Sequence, residues 1–78
     1  MKNQNIVHEY FKRDFGDYVI YVRLNPYTYK GTELTVLKDG SKEIRELSFD
    51  EQIHEDLAVD NFIPATALEF QLYAQGLA

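Results

Sequence analysis

The sequence predicts an α+β fold: an N-terminal helix, a three-stranded antiparallel meander, and two short C-terminal helices packed on one sheet face. Three observations support this. Apolar residues recur at helical spacing over residues 5–15, β-branched and aromatic runs alternate with turn residues over 17–47, and two Ser/Thr-x-x-Glu sequences follow. The chain has 78 residues, 45% of them hydrophobic and 14% aromatic, which predicts a single domain spanning 1–78.

The first predicted element is a helix over residues 5–15. Its apolar side chains follow the spacing of one helical face: Ile6, Val7, Tyr10, Phe11 and Phe15. We expect Asn3 or Asn5 to cap its start and Gly16 to take the left-handed position after its end. A strand is the alternative, and it would place Tyr10 and Phe11 on opposite faces of the sheet.

The strongest strand signal lies at residues 17–24, which are almost all β-branched or aromatic. One face of this strand is assigned to the core: Tyr18, Ile20, Val22 and Leu24. The other face bears Val19, Tyr21 and Arg23. Asn25-Pro26 is expected to end the strand.

Two further strands, at residues 32–38 and 42–47, flank Asp39-Gly40-Ser41, and Asp-Gly between alternating runs indicates a hairpin. A two-residue loop would place Val36 opposite Glu43. A three-residue loop instead puts Leu34, Val36 and Ile44 on one face, and is therefore predicted.

The second predicted helix starts from a capping box formed by Ser48 and Glu51. Phe49, Ile53 and Leu57 then recur every four residues. The helix is expected to end near Asp60, with Asn61 as a left-handed stop.

The final segment begins with a second capping box, Thr66 and Glu69, and Gly76 is expected to close it as a helix. A strand is the alternative here, because Leu68, Phe70 and Leu72 alternate with polar residues. The predicted core of the whole domain comprises Tyr10, Phe11, Ile20, Val22, Leu34, Val36, Ile44, Phe49, Ile53, Leu57, Leu68 and Leu72.

The composition limits the kinds of site, the cellular location and the oligomeric state that we expect for this protein. The absence of Cys excludes disulfides and thiolate zinc sites, and in so small a domain it points to a cytoplasmic protein. No apolar run approaches the ~20 residues that cross a bilayer, so no membrane association is expected. Small domains often gain stability by self-association, which makes a homodimer the default expectation.

Charge is unevenly distributed along the chain. All eight Lys and Arg residues lie at or before Arg45, whereas seven Asp and Glu residues follow it. We therefore expect a non-catalytic module or accessory subunit that docks a basic protein partner through the second helix. The predicted partner-binding residues are Glu51, His54, Glu55 and Asp56.

The alternative function is single-stranded nucleic-acid binding, in which bases stack on aromatic rings beside basic residues. The residues that combine aromatic rings with basic side chains in this way are Tyr21, Arg23, Tyr27, Tyr29 and Lys30. A net charge of −5 makes nucleic acid the less favoured partner. The predicted order of elements resembles that of the double-stranded RNA-binding domain, but that family's basic cluster would fall on Asp50-Glu51, which excludes its mode of binding.

Neither catalysis nor a cofactor is predicted. Glu51, His54 and Glu55 have the Glu-x-x-His spacing of di-iron bundles, but such sites need the motif twice, so no metal is expected. Ser41 and Ser48 lie at a turn and a cap rather than in a nucleophile elbow, and the four glycines form no phosphate loop.

Overall fold

The computed structural model describes residues 7–75, which form one five-stranded antiparallel sheet and two helices. The strands have the order β4-β3-β2-β1-β5 across the sheet. The chain thus makes a four-stranded meander, crosses over with a helix, and returns to add a short strand beside β1. The elements are β1 Glu9–Asp14, β2 Tyr18–Leu24, β3 Lys30–Leu37, β4 Lys42–Ser48, α1 Ile53–Val59, β5 Ile63–Pro64 and α2 Ala67–Ala74.

The prediction of a helix over residues 5–15 is wrong, and so is that of a three-stranded meander, because Glu9–Asp14 forms strand β1. Tyr10 and Phe11 do lie on opposite faces, as the strand alternative required. Both faces are covered, however: Tyr10 packs on Phe70 with 5.6 Å between ring centroids, and Phe11 packs beside Val22. Apolar residues on both sides of a strand lose the two-residue alternation and imitate helical spacing.

Gly16 takes a positive φ of 95° in the turn between β1 and β2, where the Asp14 carboxylate accepts a hydrogen bond from its N–H at 2.8 Å. Its left-handed conformation was predicted for a helix end and serves a hairpin instead. The predicted caps Asn3, Asn5 and Gly76 lie outside the described residues.

The two helices pack on opposite faces of the sheet, not on one face as predicted. Ile53 and Leu57 of α1 join Val22 and Leu24 in one core cluster. On the other side, Phe70 of α2 packs against residues of β2 and β3, among them Tyr21. We call these the α1 face and the α2 face. The face of β2 that bears Tyr21, which the prediction did not assign to the core, is therefore a second core.

The β3–β4 hairpin has a three-residue loop, as predicted, but the loop comprises residues 38–40 rather than 39–41, which shifts the strand register. Leu34 pairs with Ile44, and the Leu37 N–H donates to the Ser41 carbonyl at 2.8 Å, which leaves a three-residue loop. Gly40 in that loop has a φ of 92°, a conformation that costs glycine little.

The start of α1 differs from the prediction. Ser48 is the last residue of β4, paired with Lys30, so its side chain does not cap the helix. The helix begins at Ile53 after Gln52, whose N–H is bound by the Asp50 carboxylate at 2.9 Å. The sheet pairing extended further along the chain than the capping motif suggested.

The end of α1 and the start of α2 are as predicted. Asn61 has a φ of 63° directly after α1, and the capping box of Thr66 and Glu69 is complete at the start of α2. The Glu69 carboxylate also binds the Lys12 ammonium at 2.5 Å, which ties α2 to β1. The hydrogen bond from Lys12 and the further bonds from Thr66 lower the pKa of Glu69.

Four predicted core residues, Val22, Leu34, Ile53 and Leu57, are buried. Six others are half-buried: Tyr10, Phe11, Ile20, Val36, Phe49 and Leu72. The prediction is wrong for Ile44 and Leu68, which are 54% and 66% exposed. Three buried hydrophobic side chains were absent from the predicted core set, namely Tyr21, Leu24 and Phe70, although Leu24 lies on the strand face that was assigned to the core.

We expect Leu34→Ala to lower the free energy of unfolding by about 2–5 kcal/mol, because Leu34 has no exposed surface and the substitution leaves a cavity. Urea denaturation followed by circular dichroism measures the change. Leu68→Ala is the matched control, with an expected change within ~0.5 kcal/mol. Equal effects of the two substitutions would contradict this assignment of the core.

We expect Gly31→Ala to destabilise the fold by about 1–3 kcal/mol through overpacking. A Cβ at position 31 would lie 2.5 Å from the Arg23 carbonyl oxygen and 2.7 Å from the Phe49 ring. The carbonyl belongs to a paired strand and cannot move away cheaply. Thermal unfolding tests this, and an unchanged midpoint would show that β2 and β3 can separate to admit a methyl group.

Candidate interaction surface

The four predicted partner-binding residues lie together on α1 and the turn before it. Glu51, His54, Glu55 and Asp56 are all exposed, because Ile53 and Leu57 turn the apolar side of the helix into the core. We call these four residues the acidic surface. The structure brings together the set that the sequence predicted, although the helix starts later than expected.

A contact with β1 extends this surface. The His54 Nε2 lies 2.5 Å from the Glu9 carboxylate, and the His54 ring meets the Phe11 ring edge-on at 6.2 Å between centroids. Sequence reasoning missed Glu9, because residues 5–15 were assigned to a helix rather than to a strand beside α1. This contact places the Glu9 carboxylate beside the acidic surface and fixes the position of His54.

The far end of α1 is held by a basic residue from β1. The Arg13 Nη1 donates to the Asp60 carbonyl at 2.7 Å, and its guanidinium lies 4.2 Å from the centre of the Phe15 ring. A cation at the C-terminal end of a helix is favoured by the helix dipole. Arg13 thus supplies the positive charge that α1 itself does not contain.

Two of the five alternative nucleic-acid-binding residues lie on β2 and pack on the α2 face. Tyr21 is 5% exposed and stacks on Tyr73 with 5.2 Å between centroids. Arg23 is half-buried: its guanidinium lies 5.1 Å from the centre of the Phe70 ring, and its Nη2 donates to the Thr32 hydroxyl at 3.1 Å. Tyr21 therefore offers no free ring face to a base.

The other three lie on or beside the β2–β3 connection. Tyr27 is 78% exposed and Lys30 is exposed, whereas Tyr29 is half-buried, has a φ of 61° and packs on the α1-face core. Lys30 and Arg23 line an open depression of about 320 Å³, together with His8, Asn25, Thr28, Gly31, Thr32 and Glu46. The five residues do not form one continuous stacking platform.

The structure holds no candidate for a bound metal among residues 7–75, where no three His, Cys, Asp or Glu side chains are grouped closely enough to ligate an ion. Glu51, His54 and Glu55 are close in sequence but do not meet that condition. In the same part of the chain, neither helix has the length and apolar character needed to cross a lipid bilayer.

Comparison with known proteins yields no relative. No family model matches the chain, and neither the curated proteins nor the solved structures contain a significant match.

Burial, with smaller contributions from the nearby Tyr73 and Glu69, raises the pKa of Tyr21 to about 12. A raised pKa in the folded state means that this hydroxyl contributes stability below its ordinary pKa near 10, which is lost as the pH rises towards 12. We expect the difference in unfolding free energy between wild type and Tyr21→Phe to fall over that range. Tyr27→Phe, at an exposed ring, is the control, and a constant wild-type–Tyr21→Phe difference would contradict the burial argument.

Proposed function

We propose that this protein is a non-catalytic protein–protein interaction module, or accessory subunit, that docks a basic partner through the acidic surface. The observation that supports this most directly is the arrangement of α1. Its apolar residues Ile53 and Leu57 are fixed in the core. Glu55 and Asp56 therefore project outward from a helix that is already in place, and Glu51 is exposed in the turn before it.

Preorganisation makes such a surface effective, because the side chains need little ordering when a partner binds. Two contacts hold α1 against β1: His54 with Glu9 at one side, and Arg13 with the Asp60 carbonyl at the C-terminal end. The helix is only seven residues long and would be marginal without such tertiary support.

The charge distribution favours a basic partner. No Lys or Arg follows Arg45 in the sequence, so this region attracts a cationic surface and repels nucleic acid and anionic lipid. Exposed charges of this kind act mainly on association rate and specificity, and their effect decreases with salt.

Single-stranded nucleic-acid binding ranks second. Of the three tyrosines it invokes, Tyr27 alone is exposed, while Tyr21 and Tyr29 pack against the two cores. Sequence-independent binding to single strands normally uses several stacked rings along a basic groove.

The proposed docking is tested by affinity capture from a lysate of the source organism with immobilised wild type and the variant Glu51→Lys/Glu55→Lys. A captured candidate is then purified and titrated calorimetrically against both proteins. We expect the double reversal to weaken binding by at least about tenfold, because each new lysine faces a basic surface. Binding should also weaken with added salt.

Asp17→Lys provides the control for charge, since Asp17 is exposed in the β1–β2 turn and its reversal can be compared with Glu55→Lys alone. Circular dichroism confirms that each variant is folded. Equal binding of the purified candidate to wild type and to Glu51→Lys/Glu55→Lys would refute docking through the acidic surface.

A further inference from the structure

Strand β4 forms one edge of the sheet. Within residues 7–75 it pairs with β3 alone, so one side of its backbone has no strand beside it. Unpaired N–H and C=O groups along a sheet edge are a template for pairing with another strand. Seven residues is long enough for several such hydrogen bonds.

The hydrogen bonds at the two ends of the β3–β4 ladder identify the residues of β4 whose backbone N–H and C=O groups point to the free edge. Ser41 accepts from Leu37, and Phe49 donates to Tyr29, while the register between these pairs is unbroken. Hydrogen-bonded and non-hydrogen-bonded pairs alternate in an antiparallel ladder. Odd-numbered residues of β4 therefore bond to β3, and the even-numbered residues direct their backbone groups to the free edge.

The residues whose backbone groups point to the free edge include Lys42, Ile44 and Glu46. Ile44 is an apolar side chain at the middle of this edge and is 54% exposed. It lies beside the fully buried Leu34 across the β3–β4 pair. An edge whose central residue is apolar is poorly protected against pairing, although charged residues flank it on both sides.

A second copy of the chain fits this edge in one register. When two β4 strands pair antiparallel about a two-fold axis at Ile44, the two isoleucines face each other. Lys42 then faces Glu46 of the second copy, and Glu43 faces Arg45 of the second copy. Every charged residue of β4 thus meets its opposite, and the outward-directed backbone groups fall into hydrogen-bonded pairs.

The neighbouring two-fold registers that preserve this backbone pattern are unfavourable. An axis at Arg45 opposes two arginines and places Ile44 against Glu46. An axis at Glu43 opposes two glutamates and places Lys42 against Ile44. Like charges directly opposite each other destabilise a strand pair.

Contacts within the chain already support the favoured register. The Arg45 Nε and Nη2 donate to the Glu33 carboxylate at 3.0 and 2.8 Å, which leaves other guanidinium N–H groups for Glu43 of a second copy. On the α2 face, the Glu46 carboxylate accepts from the Thr32 hydroxyl at 3.0 Å and keeps acceptor capacity for Lys42.

We propose that the protein forms a homodimer through antiparallel pairing of β4 with β4 of a second copy, centred on Ile44. The two sheets join into one continuous ten-stranded sheet. This interface is isologous, as expected for a two-fold dimer, and it leaves the acidic surface of each copy outside the strand pairing. It does not depend on the proposed docking of a basic partner.

Sedimentation equilibrium from low to high micromolar concentration tests the dimer. We expect wild type to dimerise and Ile44→Lys to raise the dissociation constant at least about tenfold, because two lysines would meet on the axis. Circular dichroism should be unchanged, since Ile44 is exposed in the monomer. A monomeric wild type at high micromolar concentration, or an undiminished dimer of Ile44→Lys, would overturn the proposal.

A charge exchange tests the register. Glu43→Arg alone opposes two arginines, and Arg45→Glu alone opposes two glutamates, so each variant should be largely monomeric. Mixed together, they restore both opposite-charge pairs, and native mass spectrometry should show the heterodimer in excess over either homodimer. Equal amounts of all three dimers would contradict the proposed register.

Cross-linking locates the axis directly, because the chain contains no native Cys. Ile44→Cys should form an intermolecular disulfide readily, since facing residues on the axis have Cα atoms within disulfide reach. Ser48→Cys is the control, with its two copies about 27 Å apart at about 3.4 Å per residue. Cross-linking of the two variants at the same rate would exclude an axis at Ile44.

Discussion

Burial of strand β2 on both faces is the constraint on which the rest of the structure depends. Val22 and Leu24 face α1, while Tyr21 faces α2, so a seven-residue strand contributes to two separate cores. Neither helix is long, and each is stabilised chiefly by the sheet face it covers. A chain of this size buries a limited fraction of its surface, and using both faces of one sheet increases that fraction.

The same arrangement explains which parts of the fold could be predicted from the sequence. The predictions are correct for features that depend on residues close in sequence. These are the three-residue length of the β3–β4 loop, the left-handed conformation of Asn61 and the capping box at Thr66. The hydrophobic period misled at residues 9–14, because Tyr10 and Phe11 are both apolar and serve different cores. Periodicity distinguishes a strand from a helix when one face is polar, whereas each face of β1 carries an apolar residue that packs on a core.

The acidic surface was predicted as a set because its residues are neighbours on one helix. Its link to Glu9 was not, since that contact joins positions 45 residues apart and depends on the placement of β1 beside α1. The alternative aromatic set does not assemble, because Tyr21 and Arg23 lie on the face of β2 that α2 covers. The sequence does not show which face of the sheet is exposed, so this packing could not be predicted.

The return of the chain to β1 has a consequence for the order of folding. The hairpins of the meander close over short loops, whereas β5 and the Lys12–Glu69 contact join segments more than 50 residues apart. Closing such a loop costs more chain entropy and comes after local pairing. During synthesis, the α2 face of the meander is therefore bare until α2 leaves the ribosome, and this interval is the one in which the nascent chain is most exposed to aggregation.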